Sequence, residues 1–192
     1  MARRFAFAMM LTLSTMLACD GSSGSEVIVG IKSDLVPGVE FTTIDVSLAQ
    51  ARGTASTGSA PLEIITNLRI AADALTTDSL LDGTSVGRFT DVEPGSYWVL
   101  TRLVDSTGRI VVQRPTVIEV PDSTFGFVVL LTRDCRGVSC PALGGGASLL
   151  ACLAGDCVDP RCHPEAPEFC PPPECASDAD CSGGSSCAPA LC

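Results

Sequence analysis

Apolar and polar residues alternate over much of residues 26 to 133. Val27, Val29 and Ile31 recur at every second position, and Ile44, Val46 and Leu48 alternate with Thr43, Asp45 and Ser47. A period of two puts one set of side chains on one face of an extended chain, so these runs predict strands with one buried and one solvated side. Further runs of the same kind cover residues 62–70, 97–104, 109–112, 116–120 and 124–132. Turn-forming residues separate them at 36–38 (Val-Pro-Gly), 51–61 (rich in Gly, Ser and Thr), 82–83, 93–95, 106–108 and 121–122. Residues 71–81 (AADALTTDSLL) suit a short helix or a strand. Strands at this spacing, with no convincing amphipathic helix between them, predict a mainly β chain built on an antiparallel sandwich of the immunoglobulin or fibronectin type.

One segment sharpens that expectation. Val92-Glu-Pro-Gly-Ser-Tyr97 resembles the start of a late strand in immunoglobulin-like and fibronectin-like domains, where a tyrosine just past a Pro/Gly corner bonds back to the main chain. Tyr97, Val99, Thr101 and Leu103 are then expected to face inward, and Trp98, Leu100 and Arg102 outward. Trp98 has two readings, a ligand-stacking ring or a packing residue on the outer face. A sugar platform usually offers several rings, which favours packing. The 108 residues from 26 to 133 are enough for an apolar core, and none of them is cysteine.

The two ends of the chain differ from this middle. Met1-Ala-Arg3-Arg4 is followed by thirteen uncharged residues, Phe5 to Leu17. That run is too short for a bilayer core of about 30 Å, but it suits the apolar segment of a secretory signal peptide. Met16-Leu17-Ala18-Cys19 resembles the bacterial lipobox, which implies cleavage after residue 18 and acylation of Cys19. Removing Cys19 from the eleven cysteines leaves ten, an even number. More than one acyl chain gives stable anchoring, at roughly 0.8 kcal/mol per buried methylene. The expected organisation is a signal peptide at 1–18, a lipidated Gly/Ser-rich tether at 19–25, a sandwich at 26–133 and a cysteine-rich segment at 134–192.

In that last segment the cysteines are Cys135, Cys140, Cys152, Cys157, Cys162, Cys170, Cys175, Cys181, Cys187 and Cys192, and only eight of its 59 residues are Val, Leu, Ile, Phe or Met. So few apolar side chains cannot offset the entropy of ordering the chain, so covalent cross-links are expected to fold it. Zinc sites favour two-residue gaps between paired ligands. The shortest gap here is four, which favours five disulfides and no metal. His163, between Cys162 and Pro164, is expected to be a solvated loop residue. Asp178 and Asp180 suggest a calcium corner, but the following residues lack the EF-hand pattern, and a solvated acidic loop is the default.

Charge narrows the function. Twelve basic residues against twenty-two acidic ones give a net charge of −10, which argues against nucleic acid and against electrostatic docking on anionic lipid. A single His, placed in the cysteine-rich segment, argues against a Ser-His-Asp hydrolase, and no cofactor is called for. The segments VGIKSDLVPGVEF (29–41), RDCRGVSCP (133–141), CLAGDCVDPRC (152–162) and CASDADCSGGSSC (175–187), behind a lipobox, resemble exported lipoproteins of myxobacteria and related bacteria. The resemblance implies a non-enzymatic surface protein of the cell envelope, lipid-bound through Cys19, with the inner or outer membrane left open. Its sandwich is expected to act as a spacer or as an interaction domain for an envelope or extracellular protein or glycan. Its cysteine-rich end is expected to form a protease-resistant tip. A protease inhibitor and a glycan-binding adhesin are the alternatives.

Overall fold

The computed structural model describes residues 24–51, 62–140 and 150–171. Seven strands form two facing sheets. They are β1 (Ser25–Ser33), β2 (Thr43–Ala51), β3 (Leu62–Ala71), β4 (Thr84–Val92), β5 (Gly95–Val104), β6 (Ile110–Val120) and β7 (Phe125–Leu131). One sheet has the order β4-β1-β7 and the other β3-β2-β5-β6. The alternation in the sequence has its physical cause here. Val27, Val29 and Ile31 from the first sheet meet Ile44, Val46 and Leu48 from the second in one core with no solvent contact beyond 1%. Along β5, Tyr97, Val99, Thr101 and Leu103 are buried, while Trp98, Leu100 and Arg102 lie on the half-exposed outer side.

The partition of strands between the layers is distinctive. In the seven-strand immunoglobulin constant arrangement the first strand shares a sheet with the second, fourth and fifth. Here β1 pairs antiparallel with β4 and parallel with β7, from Val27 opposite Phe125 to Ser33 opposite Leu131. The ladders β2–β3, β2–β5 and β5–β6 are all antiparallel.

Residues 71–81, which suited either element, contain both. β3 ends at Ala71, a single 3₁₀ turn follows at Ala72–Ala74, and helix α1 spans Thr77–Asp82. Thr76 caps it: its side chain accepts from Ser79 N at 3.2 Å, and the Ser79 side chain accepts from Thr76 N at 3.1 Å. Leu80 pins α1 to the core at 0% exposure. Gly83, at φ 95°, ends the helix in a conformation that strains any side-chain-bearing residue.

A correction concerns residues 109–120. Gln113-Arg114-Pro115 looks like a break between two short strands, yet β6 runs unbroken through all three. Pro115 lies opposite Leu100 in the edge strand of its sheet, where a missing N–H breaks no inner ladder. Arg114 lies in line with Val112, Thr116, Ile118 and Val120 on the buried side, and is 1% exposed.

Candidate functional site

The sandwich has two long open sides, one between β6 and β7 and one between β3 and β4. The cysteine-rich segment closes the first. Val117 N in β6 donates to Pro160 O at 2.9 Å. Arg114 spans the gap: Nη1 donates to Leu130 O of β7 at 2.9 Å, and Nη2 donates to Cys162 O at 2.5 Å. Burial pushes the guanidinium down to about 10, still protonated at neutral pH, because the interior solvates a cation poorly. Arginine suits this place because its planar fork offers several donors at fixed angles to acceptors on different segments. Strand pairing sets Thr101 directly opposite Arg114, and Val99 opposite Thr116. Arg114 Nε, Thr101 Oγ1 and Thr116 Oγ1 are buried without a protein partner.

Three disulfides hold the segment that Arg114 grips. Strands β8 (Ala151–Leu153) and β9 (Asp156–Val158) form a hairpin, turned by Ala154 and Gly155, both at positive φ (51° and 90°). Cys152 and Cys157 face each other across this hairpin but do not bond to one another. Cys152 bonds to Cys135 and Cys157 to Cys140, both at a separation of 17, so two parallel staples tie the hairpin back to the end of β7. Cys162 bonds to Cys170 and closes the loop whose carbonyl Arg114 holds. Cys135 and Cys152 belong to the main core of the sandwich. The core of a sandwich whose residues 26–133 contain no cysteine is thus completed by a disulfide from the next segment. The described part of the segment lies along β6 instead of standing off as a tip. Cys19, Cys175, Cys181, Cys187 and Cys192 lie outside the described residues, as do Asp178 and Asp180.

His163 also departs from expectation. It is 8% exposed, and its Nδ1 lies 2.9 Å from Glu165 Oε2, because the Arg114 contact and the Cys162–Cys170 bond pull this loop against the sandwich. No group of three or more metal-ligating side chains occurs among the described residues. Arg161 doubles the closure of the same loop. It forms a two-pronged pair with Asp159, at 3.0 and 2.7 Å, and stacks over Phe169 at 4.1 Å. The Arg161 side-chain hydrogen bond holds the Asp159 carboxyl below its usual range.

Tyr97 sits where β5 begins, 5% exposed, with its hydroxyl donating to Glu93 O at 2.8 Å across the Pro94-Gly95 corner. Burial, and then the Glu93 charge, push the phenol up.

The second open side, between β3 and β4, carries a cleft of about 600 Å³ lined by residues that include Leu48, Ile65, Leu68, Phe89, Asp91 and Tyr97. β3 is the barest strand of the sandwich. Ile64 is 59% and Ile65 52% exposed, next to a bulge opposite Leu48 and Ala49. Bulges blunt edge strands against pairing with other chains, so the faces and the cleft offer the better contact surfaces on this side. A second cleft of about 500 Å³ lies on the outer face of the β4-β1-β7 sheet, floored by Ile28, Gly30, Gly126 and Val128 and flanked by Asp82 and Glu165. On the outer face of the other sheet, Trp98 stands in register between Ala49 of β2 and Val117 of β6.

Sequence reading missed Arg114 because an arginine at a period-two position reads as a solvated residue. The only available signal was its parity with Val112, Thr116, Ile118 and Val120. Comparison with protein-family models, with curated proteins and with solved structures finds no match. Among the described residues, no helix is long and apolar enough to cross a membrane. The three disulfides point to an extracellular or periplasmic compartment.

Proposed function

We propose that this chain is a non-enzymatic surface lipoprotein, held to a membrane by acylated Cys19, with the sandwich as an interaction domain and the cross-linked segment as a clamp on its β6–β7 side. The observation that carries the reading is the set of three formed disulfides. Such bonds need an oxidising compartment, and residues 1–19 have the order of a leader that reaches one: basic start, apolar run, small residue, cysteine. With one side clamped, the partner surfaces left to an envelope or extracellular protein or glycan are the β3–β4 side and the outer faces of the sheets.

Metabolic labelling with a radioactive fatty acid tests the anchor. Label is expected in the wild-type chain and not in Cys19→Ala, and label in both would contradict it. A glycan-array signal abolished by Trp98→Ala would favour the adhesin reading over the packing role.

A further inference from the structure

We infer that one outer face of the sandwich rests on the lipid surface that holds Cys19, an inference that builds on the anchor proposed above. Four residues form a row across the β3-β2-β5-β6 sheet. Ile64 pairs with Ala49, Ala49 with Trp98, and Trp98 with Val117, so one side chain from each strand stands side by side on the same outer face. The bulge on β3 brings this about. It shifts the alternation by one residue, and so turns Ile64 to the outer face beside Ala49. Two rows further along, strand pairing places Arg69, Asp45, Arg102 and Gln113 in line. An apolar row containing the sole tryptophan suits an interfacial contact in which indole and aliphatic groups sit among headgroups, while Arg69 of the neighbouring row already pairs with Asp45 at 3.4 Å.

The position of the row supports this occupant. β1 begins at the end of the sandwich where β4 finishes and β5 starts, with Ser25 opposite Val92, and the row lies in the half of the sheet nearest that end. A Cβ on Gly24 would meet the main chain of Asp91, which lines the same cleft as Ile65, so the chain enters β1 at that cleft. Only residues 19–24 separate the anchor from β1, and six residues reach at most about 20 Å even when fully extended. A row carried that close to lipid meets it at high effective concentration, so the contact forms despite the chain's acidity, but only while the tether holds.

The single indole supplies the probe. Mature acylated protein is reconstituted into phosphatidylcholine vesicles whose acyl chains carry bromine, and Trp98 emission is compared with that in unbrominated vesicles. Quenching is expected in the wild-type chain. Ile64→Ser should cut the ratio of lipid-contacting to free face about tenfold, since withdrawing one isoleucine from lipid shifts partitioning by roughly a power of ten. Cys19→Ala protein added to the same vesicles should remain unquenched. Intact mass, read in parallel, reports the acyl group. Acylated protein with unquenched Trp98 would overturn the lipid contact and leave the anchor standing. Protein without an acyl group on Cys19 would overturn both, and quenching unchanged by Ile64→Ser would overturn the role of the row.

Discussion

Two carbonyl oxygens on segments far apart in sequence, Leu130 and Cys162, converge on the buried guanidinium of Arg114. Hydrogen bonds to a charged group contribute roughly 1.5–3 kcal/mol each, and both acceptors are stranded when the donor goes. Arg114→Met should therefore destabilise the protein by about 3 kcal/mol in urea unfolding and raise amide exchange at Val117 and Cys162. Arg114→Lys should not restore it, because a point charge lacks the fork that reaches both acceptors. Removing the tyrosine hydroxyl is a milder change. Tyr97→Phe leaves the ring in place and deletes one bond to Glu93 O, so a loss of about 1 kcal/mol is expected in the same assay. Asp105 gives a pH signature. Its carboxylate accepts from Thr107 Oγ1, Thr107 N and Arg109 N, and the Thr107 hydroxyl bond above all holds its carboxyl below the usual value of 3.8. Because the folded value is lowered, this contribution is fully present above 3.8 and is lost as pH falls through the lowered value. Asp105→Asn keeps an acceptor oxygen but cannot titrate, so its thermal midpoint should fall less steeply on the acid side than that of the wild type.

At the scale of elements, legibility followed the strength of the period-two signal. β1, β2 and β5 carry apolar residues at every second position, and those positions are buried as expected. β6 was obscured because a proline and a buried arginine both mimic a loop. In the structure the edge position excuses the proline, and two carbonyls satisfy the arginine. The helix α1 was ambiguous because it has six residues, too few for a helical period, and is held by its Thr76 cap and by Leu80. The β8–β9 hairpin was invisible in the sequence. Three-residue strands carry no periodicity, and the pairing of Cys152 and Cys157 with Cys135 and Cys140 depends on tertiary position. Replacing Cys135 and Cys152 together by Ala removes one staple. At a sequence separation of 17, the expected cost is about 3 kcal/mol from the unfolded chain's regained freedom, plus lost packing in the core. Equilibrium denaturation of the oxidised double variant measures it.

At the scale of the whole molecule, the covalent and non-covalent frameworks share one boundary. The sandwich carries its own apolar core, yet one of its open sides is sealed by a segment that three disulfides keep folded, and Arg114 and Val117 bond the two together. That dependence ties the fold to the compartment. A chain kept reduced would lose the Cys162–Cys170 loop that presents the carbonyl to Arg114, and the β6 edge would be bared. The proposed anchor at Cys19 and the stapled segment both require export. A peptide mass map of the protein taken from its own cells, digested without reduction, tests both together. It should begin at an acylated Cys19 and show linked peptides joining Cys135 to Cys152, Cys140 to Cys157 and Cys162 to Cys170. A chain still beginning at Met1 with those six cysteines as free thiols would contradict the account.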